Sequence, residues 1–219
     1  LNPSTTAIIN QTPSMNQEGL VSSIAPGVLS WVTDDDSSYL FPVGSSTNNL
    51  RRYRPVEIDP TLVANNTWTV RMINYNPDWD GFPRATNDGI PCMANDTFYH
   101  AILRPVGATP ADIMIAYDPA ADGPWDGMAH WRTTNNMWND MASSTQVNPG
   151  TYSFYSSLTR VNWLFANPGE PYVLTELKPA APLLNCPGTL CANSLGNIFT
   201  ANGSGTSYTW TVGNGTITS

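Results

Sequence analysis

The stretch TWTVRMINY at 67–75 alternates β-branched and aromatic residues with polar ones at a period of two. Trp68, Val70, Met72 and Asn74 fall on one face, and Thr67, Thr69, Arg71, Ile73 and Tyr75 on the other. That period is a strand's, because successive side chains of a strand point to opposite faces. TFYHAILRPV (97–106), ADIMIAYD (111–118), TYSFYSSLTRVNWLFA (151–166), PYVLTEL (171–177) and TSYTWTV (206–212) read likewise. Clusters of Gly, Pro, Asn and Asp bound these runs, as in NYNPDWDGFP (74–83), DPAADGPWDG (118–127) and ANPGEP (166–171). Short strands at this turn density predict an all-β fold, an antiparallel β-barrel or sandwich with long decorated loops and little helix.

The one stretch with a helical spacing is 134–142, TNNMWNDMA, where Met137 and Met141 stand four apart. Asn and Asp are poor in helix interiors, so a single turn or an irregular loop is expected there. No internal repeat of 20–50 residues is visible, which disfavours a propeller or solenoid. Proline concentrates in KPAAPLLNCPG (178–188), a possible boundary. The segment after it is too short to fold alone, so residues 1–219 are expected to form one β-rich domain. The chain starts at Leu1 and ends at Ser219 inside a strand-like pattern, as expected of a piece excised from a longer polyprotein or precursor.

Composition narrows the function. Charged residues make up 12% of the chain, against about 25% in ordinary globular domains. Lys178 is the single lysine, and eight arginines carry the rest of the positive charge. Net charge is −8. An acidic, lysine-poor surface argues against nucleic acid, whose binding rests on Lys and Arg neutralising phosphates, and against anionic membrane surfaces. No apolar run approaches the roughly 20 residues of a membrane helix. The dense basic group in LRRYRP, Arg51, Arg52 and Arg54, reads as a strand whose arginines face solvent or acidic neighbours.

Catalytic and metal constellations are poorly supported. His100 lies mid-strand and His130 beside Trp131, and no G-x-S-x-G elbow is present. Asp78 and Asp80 read as turn aspartates rather than as a glycosidase pair, which needs two carboxyls facing each other across a cleft. Asp122, Asp126 and His130 complete the set a hydrolase would use. Asp34–Asp36 and the series Asp118, Asp122, Asp126 offer oxygen ligands, but the spacing does not match an EF-hand loop. Cys92, Cys186 and Cys191 are an odd set. A local disulfide between Cys186 and Cys191 across PGTL would leave Cys92 free and, as for most free cysteines, buried. Zinc lacks a four-ligand set. No catalytic residue, metal site or cofactor is therefore assigned, and the chain is expected not to be an enzyme. The sequons at Asn10, Asn65, Asn95, Asn202 and Asn214 match what this composition yields by chance, about four.

Aromatic recognition is better supported. Trp79, Trp125, Trp131 and Trp138 lie in turn-rich or polar segments beside Asp80, Asp126 and Arg132. Flat rings beside polar side chains suit sugars, the ring stacking on C–H faces while the polar groups take hydroxyls. Loops on a rigid scaffold are where binding residues concentrate. The competing reading is that the rings pack on the sheet or form a subunit interface, where Trp and Tyr are enriched. Trp79, Asp80, Trp125, Asp126, Trp131, Arg132 and Trp138 are the candidate ligand-binding residues.

Taken whole, the chain resembles the outer, protruding domain of a non-enveloped virus capsid, and is most similar in style to the astrovirus capsid spike, avian spikes included. The resemblance spans the chain and rests on domain size, many short strands and a Trp-, Asn- and Thr-rich, Lys-poor composition. No motif carries it, so it transfers no functional residue. It implies a homodimer on the virion surface that engages a host-cell receptor, often a glycan, and attracts antibodies. At the C-terminus GTSYTWTVGNGTIT (205–218) resembles the PKD-type immunoglobulin-like repeats of bacterial surface proteins. That implies the alternative, a secreted carbohydrate-binding or adhesin module.

Overall fold

The computed structural model describes residues 20–22, 25, 27–45, 52–142, 145–147, 156–165, 170–177, 183–185 and 200–202. The chain divides into two compact units, Leu1–Leu177 and Lys178–Ser219. The division falls at the edge of the proline-rich stretch. In the second unit, strands Leu183–Asn185 and Thr200–Asn202 pair antiparallel. The TSYTWTV stretch, the PKD-like tail and Cys186 and Cys191 lie outside the described residues.

The first unit is all-β. Its larger sheet begins with β2 (Leu29–Thr33), which pairs β7 (Asn66–Ile73), which pairs β9 (Tyr99–Val106). Beyond β9 follow β15 (Glu170–Leu177), β11 (Gly127–Arg132) and β12 (Met137–Asp140), and β8 (Pro91–Ala94) also pairs β15. The second sheet runs β13 (Thr145–Val147), β14 (Ser156–Trp163), β10 (Ala111–Tyr117), β6 (Val56–Pro60), β3 (Tyr39–Phe41). A small sheet joins β1 (Val21–Ser22), β4 (Val43–Ser45) and β5 (Arg52–Tyr53), in which β1 and β4 form a parallel pair. The two large sheets face each other as a sandwich. Among the described residues no strand hydrogen-bonds one to the other, as in a sandwich.

The alternation read in 67–75 sets the larger sheet's orientation. Trp68, Val70 and Met72 are 0–2% exposed and share one core with Ile58, Ile113 and Leu158 of the second sheet. The Trp68 indole Nε1 donates to Thr33 Oγ1 at 3.1 Å, so the buried ring keeps its polar handle satisfied. The opposite face of this sheet also carries a core. Ile73, Tyr99, Ala129, Trp131, Trp138 and Val173 pack together there, beneath the long connection between β7 and β8.

Residues 134–142 differ from expectation. Trp131 and Trp138 face each other across the β11–β12 hairpin, and Met137–Asp140 is a strand. Asn136 turns the chain at φ 52°, a conformation Asn tolerates better than most residues.

The basic group of LRRYRP is structural where it is described. Arg54, 3% exposed, grips the Asp122 carboxylate with Nε and, at 2.8 Å, Nη2. Arg52 stands 3.8 Å from the same carboxylate. Asp122 closes α1 (Pro119–Asp122), a single helical turn whose N-cap Asp118 accepts from Ala120 N. Among the described residues no helix is long and apolar enough to cross a membrane.

Candidate functional site

The site is built on residues 74–90, and local chemistry fixes its shape. Asn76 Oδ1 accepts from Asp78 N at 2.9 Å, Pro77 opens a 3-10 turn, and Gly81 closes it at φ 83°. The left-handed φ favours glycine at that position. Asp78 is held by Arg84, whose backbone N donates to Oδ1 at 2.6 Å and whose Nε donates to Oδ2 at 3.3 Å. Arg84 also donates to the Ala94 carbonyl at 3.2 Å and lies 4.0 Å from Asp96. Downstream, Trp138 N donates to Thr86 O at 2.9 Å and Asp88 N donates to Trp138 O at 3.0 Å, tying the connection to β12.

This turn projects Trp79 outward, 76% exposed. Its indole stacks on Tyr75 with centroids 5.8 Å apart and planes at 23°. Tyr75 meets Tyr99 edge-on at 6.3 Å, Tyr99 meets Phe82 at 6.0 Å, and Phe82 meets Trp131 at 5.5 Å and Trp138 at 6.3 Å. The exposed ring is thus the outer end of a continuous aromatic array rooted in the sheet. Such edge-on and offset contacts are favourable beyond the area they bury.

Asp80 follows Trp79 and is exposed. Its Oδ2 accepts from two phenols, Tyr75 at 2.7 Å and Tyr99. Burial, then the hydrogen bond to Asp80, pushes both tyrosines above their ordinary value. Both phenols therefore keep their protons and act as donors at neutral pH. The arrangement presents a flat ring next to a carboxylate that is held in place.

Of the predicted residues, Trp79, Asp80, Trp131 and Trp138 belong to one array. The expectation that all four tryptophans lie outside the core holds for Trp79 alone. Trp138 is 0% and Trp131 5% exposed, because Phe82 and the rest of the 76–90 connection cover them. Trp125 is 6% exposed and belongs to the core between the sheets, where Tyr117 Oη donates to its carbonyl at 2.7 Å. These three rings offer no open face for a ligand. Arg132 is exposed at the end of β11, and its carbonyl accepts from Asn135 and Asn136 N in the hairpin turn. Asp126, also exposed, accepts from Leu177 N at 2.7 Å. Tyr75, Tyr99, Phe82 and Arg84 complete the site and were missed. Tyr75 and Tyr99 sit in the quoted strand stretches and carried the signal, as aromatics on the face opposite the core.

The hydrolase residues do not converge. Asp78 pairs with Arg84, Asp122 with Arg54, and His130 is 4% exposed, with its ring edge-on to Trp163 at 4.7 Å. His100 is buried, its Nε2 2.9 Å from the Arg54 carbonyl. Among the described residues no group of three or more His, Cys, Asp or Glu could hold a metal ion. Cys92, expected to be buried, is a free thiol on the exposed part of β8. The Asn95 sequon is buried in an Asx turn in which Oδ1 accepts from Thr97 N at 2.7 Å.

Comparison with protein-family models, curated proteins and solved structures returns no match for this chain.

Proposed function

We propose that this is a non-enzymatic receptor-binding domain displayed at the virion surface, a capsid spike that attaches to a host-cell glycan through the Trp79–Tyr75 platform. The observation that carries the reading is the 76% exposed indole at the end of a rigid aromatic array. A largely exposed Trp contributes little to folding, and a preordered ring loses little entropy on binding. The all-β sandwich with long decorated connections, the low charge and the single lysine support the same reading. The spike resemblance adds homodimerisation and recognition by antibodies.

A secreted bacterial carbohydrate-binding or adhesin module is the second reading, favoured by the separate compact unit Lys178–Ser219. Cell binding and light scattering on the purified chain distinguish the two. A dimer that binds permissive cells supports the spike. A monomer that binds only polysaccharide supports the module and removes the spike.

A further inference from the structure

We infer that the Trp79 platform selects a neutral sugar, with hydroxyls of the ring donating to Asp80 Oδ1, and rejects acidic sugars. The inference rests on the platform reading above and names the ligand class of that site. Both phenols donate to Oδ2 of Asp80, and Oδ1 receives no hydrogen bond from a described residue. A carboxylate only accepts, so the complementary group on the ligand must be a donor. Adjacent sugar hydroxyls are such donors, and a pyranose ring brings a C–H face for the indole beside them.

Charge argues against an acidic ligand. Asp78 and Asp96 share the single guanidinium of Arg84, and Asp80 makes no ion pair with a described residue. Arg71 is near enough for its charge to act on the Tyr75 and Tyr99 phenols. Three carboxylates thus stand against two guanidinium groups, on a chain of net charge −8. A sugar carboxylate placed on Trp79 would sit beside the Asp80 charge, and like charges brought together are a source of discrimination. Tyr75 and Tyr99 are positioning residues here, since their hydroxyls orient Asp80 while their rings support Trp79.

The test is an NMR titration of the full chain, reading the Trp79 indole N–H. Methyl β-galactopyranoside, methyl α-mannopyranoside and N-acetylneuraminic acid serve as probes. A neutral sugar is expected to shift that signal and N-acetylneuraminic acid to leave it in place. Asp80→Asn is expected to weaken neutral-sugar binding about tenfold or more, the scale of a hydrogen bond to a charged group. Tyr99→Phe, which keeps the ring, is expected to weaken it by a smaller factor. Neutral-sugar binding unchanged in Asp80→Asn overturns the role of Asp80. An indole signal shifted only by N-acetylneuraminic acid overturns the inference and leaves the platform standing. A signal shifted by none of the three overturns the platform reading together with the inference.

Discussion

Replacing Trp79 and Trp138 separately by Ala should produce losses of stability of very different size. Trp138 is 0% exposed, touches Phe82 and Trp131, and donates from Nε1 to the Phe82 carbonyl at 3.3 Å. Truncating a buried Trp of this kind costs about 3–5 kcal/mol. Trp79 is 76% exposed. About a quarter of the ~200 Å² a Trp can bury is covered, and roughly 50 Å² at ~25 cal/mol per Å² is worth about 1 kcal/mol. The assay is equilibrium urea unfolding followed by far-UV circular dichroism, which does not depend on the fluorophore removed. Trp138→Ala is expected to lose several times more stability than Trp79→Ala. Equal losses would refute this, because Trp79 would then be a packing residue and any binding defect would report misfolding.

Three further outcomes follow from the fold. Asp122→Asn removes the counter-charge of the buried Arg54 and should cost about 3–5 kcal/mol in urea unfolding; a loss under ~1 kcal/mol would show that the pair does not support the fold. Burial holds the His100 imidazole down to about 4, so the unfolded chain takes up a proton from about 6.5 downward while the folded chain does not. The corresponding stability is complete above pH 6.5 and is lost as pH falls toward 4, by about 3 kcal/mol. His100→Gln should lack this component, and parallel pH profiles for the two proteins would contradict the assignment. Gly107 adopts φ 97°, and a Cβ there would collide with Asn66 Oδ1; Gly107→Ala should therefore cost about 2 kcal/mol or more, and a neutral effect in thermal unfolding would count against the described turn.

The strand–turn architecture was legible because β7 and β9 are long enough to express their period, and β10 and β15 are apolar runs bounded by turn residues. The inward set Trp68, Val70 and Met72 came directly from the alternation. Short strands such as β8 (PCMA) and β6 (VEIDP) were hidden, since their prolines read as turn punctuation. The site was half legible. Trp79 and Asp80 stood out as an aromatic beside a carboxylate in a turn. What covers Trp131 and Trp138 is a connection about 50 residues earlier in the chain, and a contact of that range leaves no trace in local pattern. The same holds for Arg54, whose counter-charge Asp122 lies 68 residues away. The exposure of Cys92 was misjudged because the usual burial of free cysteine is a tendency of composition, while its place on β8 is set by pairing with β15.

The most direct test of the central claim is a glycan array probed side by side with the wild-type chain and Trp79→Ala at matched stability. The wild type is expected to bind a defined set of glycans and Trp79→Ala to lose that set. Identical array profiles for the two proteins would contradict this, and would move receptor contact away from the Trp79–Tyr75 platform.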